Sequence, residues 1–332
     1  MADKNSRSES RRRWLQGVLS RDFHIVPLAG DASFRCYFRV TSLPGQAAEK
    51  HYVLMDAPPE HEDVRPFLAV RTWFEQAGLR VSALEGVNLQ QGFLLLEDFG
   101  DETWATYRGG GGDLSPLFED ALRQLHLLQA SSPGMDLPLF DVSRMQRECD
   151  LYLDWYLPRV AGFTPSAAER DSFHAALAPT LEELAALPRV PVHLDYHSRN
   201  LMLPDGSLPL GQIDYQDAVQ GAVTYDPASL LYDCYQLYPE DERSHWSRAF
   251  FETMPASLSA GFADFDVWHR FVRLTALQRH IKAIGIFARL AYRDGKTQFL
   301  DEIPLTRRHL MDEMAALDMS ESDFPLLARQ FP

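Results

Sequence analysis

The sequence predicts an α+β protein with two lobes: a small β-rich N-terminal lobe over residues 1–98 and a larger, mainly helical C-terminal lobe over residues 99–332. Two patterns predict this division. Short alternating and apolar runs between turn residues dominate the first hundred positions, whereas most of the remaining chain repeats apolar residues every three or four positions. At 332 residues the chain is also too long for one simple core.

The predicted N-terminal lobe is a nucleotide-binding β-sheet with one helix, and a separate solvated helix is predicted near the N-terminus. A helix beginning near Arg11 should bury Trp14, Leu15, Val18 and Leu19. Alternating or apolar runs predict strands over residues 34–40, 52–55 and 92–96, with a turn at residues 43–45. Helical spacing between the second and third strands predicts a helix over residues 67–77 that stops at Gly78.

Two segments of this lobe are suited to nucleotide binding. A loop of small residues precedes the first strand, and its backbone N–H groups could approach phosphate oxygens without side-chain obstruction. Its residues are Gly30, Asp31, Ala32 and Ser33. The third strand ends in an acidic linker, Glu97, Asp98 and Phe99, which we interpret as a hinge whose backbone could pair with an adenine edge. An ordinary turn and an ordinary strand end are the alternatives.

The clearest chemical signal is an H-x-D-x-x-x-x-N motif formed by His193, Asp195 and Asn200, followed by Asp214 after a short apolar run. Apolar residues on both sides of a turn at residues 204–206 predict a hairpin that gathers the last three side chains. Asp195 could orient a hydroxyl or take its proton, and Asn200 and Asp214 could hold Mg²⁺, which is the minimal set for phosphoryl transfer. The alternative is that these loop residues only cap turns.

Helical periodicity predicts further helices over residues 117–129, 148–157, 167–187 and 268–292. Asp226 before Pro227 predicts a capped helix over residues 228–237, in which Asp226 could also brace the loop with the motif. The polar residues Gln278, Arg279 and Lys282 lie within the longest helix. We interpret them as the solvated face of a core helix, with ligand binding as the alternative.

Composition excludes several classes of protein. A formal net charge of −15 argues against a broad nucleic-acid surface. No apolar run reaches the roughly 18–20 residues of a membrane span, and the polar N-terminus lacks the apolar segment of a secretory signal. Three scattered cysteines without metal-ligand spacing suit reduced thiols. We therefore expect a cytoplasmic protein that has no nucleic-acid, membrane or obligate protein partner.

The order of these features resembles the aminoglycoside phosphotransferase and choline kinase-like superfamily of small-molecule kinases over about residues 28–300. The resemblance implies a bilobal protein-kinase-like fold with ATP and Mg²⁺ as cofactors. Residues 30–35, 55–60, 92–98, 214–218 and 277–282 are similar to one branch, the bacterial anomeric kinases of N-acetylmuramate and N-acetylglucosamine in peptidoglycan recycling. That branch implies a sugar substrate phosphorylated by ATP on its anomeric hydroxyl.

The resemblance also implies roles for individual residues. It implies that the nucleotide is bound by Gly30, Asp31, Ala32, Ser33, Phe34, Arg35, Arg39, Glu97, Asp98, Phe99 and His197. It implies that the sugar substrate is bound by Asp217, Gln278, Arg279 and Lys282. The cations in the second set would suit the lactyl carboxylate of N-acetylmuramate and repel a polycationic aminoglycoside.

The sequence departs from the wider kinase pattern at three places. The strand over residues 52–56 lacks the lysine that normally contacts phosphates, and Phe67 lies near the position expected for its glutamate partner. Arg35 or Arg39 could supply the missing charge, because arginine readily makes bidentate phosphate contacts. Gln216 replaces the glycine of the D-F-G motif, so we expect no switching activation loop.

Other functions stay open at this point. An aminoglycoside, choline or homoserine kinase would use the same chemistry, and a nucleotide-binding pseudokinase would lack turnover. Choline would require an aromatic cage, which Trp155, Tyr156, Trp246 and Trp268 could supply.

Overall fold

The computed structural model describes residues 2–20, 22–28, 34–43 and 49–328. The first part is a five-stranded antiparallel sheet with two helices, α1 (Ala2–Leu19) and α2 (Arg65–Gln76). The strands are β1 (Phe23–Pro27), β2 (Cys36–Ser42), β3 (Lys50–Asp56), β4 (Leu84–Asn88) and β5 (Phe93–Glu97). Their spatial order is β1-β2-β3-β5-β4, so β3 lies at the centre.

Both faces of this sheet are covered, which explains the continuous apolar run of its inner strands. Successive side chains of a strand point to opposite faces. Leu54 therefore packs with Leu15 of α1, whereas Met55 packs with Phe74 of α2. Each buried side chain of this size contributes about 1.5–3 kcal/mol to folding.

Charge also holds α1 on the sheet. Arg7 and Arg11 donate to the buried carboxylate of Asp56 at 2.6 and 2.9 Å, and Arg11 lies 3.8 Å over the ring of Phe38. The helix begins at Ala2 rather than near Arg11. Leu15 is buried as predicted, Trp14 and Leu19 are half-buried, and Val18 remains exposed.

The second part of the chain is mainly helical. Its helices are α3 (Trp104–Gly109), α4 (Ser115–Ala130), α5 (Val142–Leu151), α6 (Leu157–Arg159), α7 (Ala167–Ala186), α8 (Tyr225–Leu231), α9 (Glu240–Thr253), α10 (Ala256–Ser259), α11 (Phe265–Asp294), α12 (Ile303–Ala316) and α13 (Pro325–Ala328). Two small antiparallel sheets pair β6 (Arg189–Val192) with β9 (Val219–Ala222) and β7 (Leu201–Met202) with β8 (Gly211–Gln212). None of the helices in the described ranges combines the length and the hydropathy that crossing a membrane requires.

Helix α11 is central to this part and packs against α5, α8, α9 and α12. It approaches a neighbour closely at Gly285, where a Cβ atom would lie 2.3 Å from the backbone carbon of Leu151. Glycine is therefore required there. A π-helical turn, Tyr152–Tyr156, follows α5 at the same place.

The two-lobed α+β architecture confirms the predicted fold class, and the lobe boundary after residue 98 stays a prediction. Several element bounds differ from the predicted ones. Strands β1 and β4 were not predicted, α5 begins at Val142 rather than at residue 148, and α8 ends at Leu231 rather than at residue 237. The two missed strands are short and largely unburied, so they carry little apolar alternation.

Candidate active site

The loop over residues 193–200 follows β6 and is held by a carboxylate from α8. Asp226 accepts hydrogen bonds from the backbone N–H groups of His193 at 2.7 Å and Leu194 at 3.1 Å. Leu194 has a φ of 83°, which residues other than glycine rarely adopt, so the two bonds hold a strained turn. Burial raises the pKa of Asp226 to about 7, although both N–H donors oppose the rise.

The prediction that Asp226 caps a helix is wrong. Helix α8 begins at Tyr225, so Asp226 already lies in its first turn. Its side chain is fully buried and points to the 193–200 loop, where it fills the bracing role that the sequence left as a second possibility.

The same loop has a second anchor at its other end. Asp233 accepts hydrogen bonds from the backbone N–H groups of Ser198 at 2.8 Å and Tyr235 at 2.7 Å. Two buried carboxylates on one short segment therefore fix both ends of the loop.

Asn200 joins the backbone segments that carry the three residues of the predicted site. Its side-chain Nδ2 donates to the backbone carbonyl of Asp195 at 3.0 Å, and its backbone carbonyl accepts from the N–H of Ile213 at 3.1 Å. Asp214 follows Ile213 directly, and the predicted hairpin is present as the β7–β8 pair. The segments that carry Asp195, Asn200 and Asp214 are thus adjacent to one another.

A cleft of about 420 Å³ lies between the N-terminal sheet and this hairpin. Val53, Met55 and Leu96 line it from the sheet, and Met202 and Ile213 line it from the hairpin. Apolar walls on two sides suit a flat ring, and polar residues complete the lining.

The predicted site residues divide according to this cleft. Those that line it are Arg39, Glu97, Asp98, Phe99, Asn200 and Asp214. Gly30, Asp31, Ala32 and Ser33 lie outside the described residues. The cleft lining does not include Phe34, Arg35, Asp195, His197, Asp217, Gln278, Arg279 or Lys282 within the described ranges.

Arg39 and Glu97, two charged residues of the cleft lining, are paired within the protein. Arg39 donates to Asp98 at 2.5 Å and to Asp101 at 2.8 Å, and these bonds raise the pKa of the guanidinium further above its usual range. Glu97 pairs with Arg80 at 2.5 Å and accepts from the N–H of Ala83 at 3.0 Å. Arg39 is the cation that the structure brings to the cleft.

Residues at the exit of the small-residue loop contact the segment after β3. Phe34 is 64% exposed and stacks on His61 at 4.7 Å, and Arg35 lies 3.4 Å from Glu62. His197 lies near Asn200, with 3.4 Å between its Nε2 and Nδ2 of Asn200.

Asn200 and Asp214 are the oxygen donors that could hold a metal ion at the cleft. Asp214 has a φ of 61° and accepts a 2.8 Å hydrogen bond from Gln216. In the part of the chain that the structure describes, no cluster of three or more His, Cys, Asp or Glu side chains is arranged as a metal site. A pair of oxygen donors fits Mg²⁺, because that ion usually takes one or two carboxylates together with phosphate and water.

Polar residues of α11 form a buried cluster behind Asp195. Lys282 Nζ lies 3.3 Å from Glu148 and 3.4 Å from the hydroxyl of Tyr225, and buried Arg279 donates to Ser229 at 2.5 Å. The interpretation of these residues as a solvated face is therefore wrong. Helix α11 is surrounded by other elements, so its polar side chains face a buried polar site rather than water.

This cluster acts on Asp195 through charge. Burial would raise the pKa of Asp195, but the positive charge of Lys282, with that of Arg279, outweighs burial and lowers it. The side chain of Asp217 lies in the same region and is open to solvent on one side. Partial desolvation and the negative charge of Asp195 raise its pKa. Gln278 is buried against Cys149, with 3.9 Å between its Nε2 and Sγ.

Sequence reasoning missed four contributors to the site: Arg144, Glu148, Tyr225 and Asp233. Only the first two carry a local signal, because an Arg and a Glu four residues apart lie on one helix face. Tyr225 and Asp233 reach the site through tertiary contacts that no spacing predicts.

Residues 24–260 match the phosphotransferase enzyme family. The chain is 36% identical over 280 residues to the N-acetylmuramate/N-acetylglucosamine kinase of Pseudomonas putida, covering 84% of this chain and 80% of the relative. It is 36% identical over 296 residues to the kinase of the same name from Pseudomonas aeruginosa, covering 88% and 84%. The solved choline kinase of Streptococcus pneumoniae has the same fold, with a TM-score of 0.61, 12% identity and coverage of 92% of this chain and 99% of its own. These likenesses confirm the resemblance drawn from the motifs.

Proposed function

The chain belongs to the phosphotransferase enzyme family, and on this premise we propose that it transfers the terminal phosphoryl group of ATP to the anomeric hydroxyl of N-acetylmuramate or N-acetylglucosamine. The likeness to kinases named for these two sugars, over more than four fifths of the chain, carries the choice of substrate. The adjacency of the segments that carry Asp195, Asn200 and Asp214 supports the chemistry. A cytoplasmic location stays part of the proposal.

Asp195 is the proposed catalytic residue. With its pKa lowered by Lys282 and Arg279, its carboxylate is ionised at neutral pH and can accept a hydrogen bond from the acceptor hydroxyl. It takes the hydroxyl proton as the anomeric oxygen bonds to the terminal phosphorus and the bond from that phosphorus to the ADP oxygen breaks. Asn200 and His193 orient the backbone of Asp195. Asn200 donates to the backbone carbonyl of Asp195, and Nδ1 of His193 accepts from the backbone N–H of Asp195 at 3.3 Å.

The cleft between the sheet and the β7–β8 hairpin is the proposed nucleotide site. Its apolar walls would hold the adenine ring, with the hinge residues Glu97, Asp98 and Phe99 in the same lining. Arg39 is the candidate replacement for the missing third-strand lysine, because it lines the cleft and Arg35 does not. Asn200 and Asp214 would hold Mg²⁺, which neutralises phosphate charge when it is bound.

The acceptor would lie on the far side of Asp195, near α11. Lys282 and Arg279 place positive charge there, and Asp217 offers a hydrogen-bond acceptor for sugar hydroxyls. A choline cage finds less support. Trp268 is fully buried and stacks on Phe250, and Trp246 stacks on Phe118, so both rings belong to the core.

A coupled ADP-release assay with five acceptors tests this function. N-acetylmuramate, N-acetylglucosamine, glucose, choline and kanamycin are each supplied with ATP and Mg²⁺, and the Asp195→Asn variant is the matched control. We expect release with the two N-acetylated sugars only, lost in the variant. Release with choline or kanamycin alone would overturn the proposal.

A further inference from the structure

We propose that Arg144 binds the carboxylate that distinguishes N-acetylmuramate from N-acetylglucosamine, an inference that rests on the proposed function. Both sugars carry the anomeric hydroxyl and the N-acetyl group, and they differ by the lactyl ether on O3 of N-acetylmuramate. An enzyme that uses the acidic sugar well needs a cation on the acceptor side that can still accept a new anionic partner.

Three cations near Asp195 and Asp217 already have close partners. Arg279 is buried and donates to Ser229 at 2.5 Å. Lys282 lies between Glu148 and the hydroxyl of Tyr225, at 3.3 and 3.4 Å. Arg35 lies 3.4 Å from Glu62 at the exit of the small-residue loop. Moving any of these side chains to a substrate would break a contact that the protein makes for itself.

Arg144 is held more loosely. Its Nε lies 3.6 Å from Oε1 of Glu148, which is too long for a hydrogen bond, and its guanidinium lies 5.4 Å over the ring of Phe140. The side chain is 26% exposed. Among the described residues, Glu148 is the only ion-pair partner of Arg144, so its outer N–H groups can make a bidentate contact with a carboxylate.

Arg144 is linked through Glu148 to Lys282, whose charge acts on Asp195. Glu148 shares its two oxygens between Arg144 and Lys282, so these three residues form a row with one surplus positive charge. One helical turn, roughly 6 Å, separates Arg144 from Glu148 along α5. A sugar with its anomeric hydroxyl at Asp195 would extend along this row and carry its O3 substituent away from the reacting atom.

The electrostatics of Asp217 point the same way. Burial and the charge of Asp195 raise the pKa of Asp217, and Arg35 and Arg144 both oppose this rise. Arg144 is therefore close enough to Asp217 for its charge to act on that carboxylate.

The test compares kcat/KM for the two sugars in Arg144→Gln and in a matched control, Arg147→Gln. Arg147 lies on the same helix, is exposed, and donates to Ser143 at 2.7 Å, so its variant makes the same change of charge away from the row. We expect the ratio of kcat/KM for N-acetylmuramate over N-acetylglucosamine to fall about 10- to 100-fold in Arg144→Gln, mainly through KM. The control should keep the wild-type ratio, and Arg144→Lys should recover part of it.

Two results would overturn the inference while leaving the kinase function in place. One is an unchanged ratio in Arg144→Gln, including an equal loss for both sugars, which would indicate a structural role only. The other is a selective loss of N-acetylmuramate turnover in Arg35→Gln instead. If the wild-type protein used neither sugar, the proposed function itself would fail, and the inference with it.

Discussion

The carboxylate of Asp226 accepts a 2.7 Å hydrogen bond from the backbone N–H of His193, and its other oxygen accepts from Leu194. This contact joins a residue of α8 to the start of the loop that carries Asp195. It keeps Leu194 at a positive φ and satisfies two N–H groups that have been removed from water. The position of the proposed catalytic carboxylate thus depends on a residue that need not touch substrate.

We expect Asp226→Ala to lower the free energy of unfolding by about 2–5 kcal/mol, because it leaves two buried N–H groups without an acceptor. The activity of the folded variant should fall through kcat. Denaturant unfolding and steady-state kinetics measure both effects, and Asp171→Ala, at an exposed site on α7, is the control. A variant with wild-type kcat would show that the contact does not position the loop.

Replacing Asp195 with Asn or Ala should lower kcat by about 10²–10⁴-fold, the usual contribution of a positioned proton acceptor. Nucleotide affinity should be retained, because Asp195 does not line the cleft between the sheet and the hairpin. Single-turnover kinetics and ATP titration separate the two effects. Near-wild-type turnover in Asp195→Asn would contradict the assigned role.

Asp214→Ala should abolish the dependence of nucleotide binding on Mg²⁺, since it removes the charged oxygen donor of the pair. Asn200→Ala should have the same effect in weaker form, because a neutral carboxamide binds the ion less strongly. Calorimetric titration of ATP with and without Mg²⁺ measures this. If the ATP affinity of Asp214→Ala depended on Mg²⁺ as strongly as that of the wild type, Asp214 would not be a metal ligand.

A buried imidazolium on α11 should make stability depend on pH. Burial disfavours the charge of His280, but Glu313 at 2.7 Å outweighs burial and raises its pKa to about 10. The raised pKa means that this pair stabilises the protein fully below the unfolded pKa of about 6.5, and that the contribution is lost as pH rises toward 10.

The free energy of unfolding of the wild type should accordingly fall between about pH 6.5 and 10, and His280→Gln should remove much of that slope. Denaturant unfolding at several pH values measures it, with exposed His245→Gln as the control. An equal slope in wild type and His280→Gln would exclude this pair as its source.

The predictable part of the site is the part set by local spacing. Asn200 and Asp214 flank the β7–β8 hairpin and Asp195 lies in the loop that leads into it, so the motif, the turn and the apolar flanks together predict that the three residues lie close together. The alternating faces of β3 and β5 likewise follow from their apolar runs.

The remainder depends on contacts between distant segments. Lys282 meets Glu148 because Gly285 lets α11 approach the end of α5, and periodicity alone cannot tell a polar face in water from one facing a buried polar site. Local sequence also gave the wrong role for Asp226. Its position before a proline is typical of a helix cap, but its hydrogen-bond partners lie in the 193–200 loop, which is distant in sequence.

The most direct test of the central claim is the site of phosphorylation in the product. N-acetylmuramate or N-acetylglucosamine is incubated with the protein, ATP and Mg²⁺, and the product is examined for ³¹P–¹H coupling. The account predicts coupling to the anomeric proton, which identifies a sugar 1-phosphate. A stable 6-phosphate, or no phosphorylated sugar while choline or kanamycin is turned over, would contradict it.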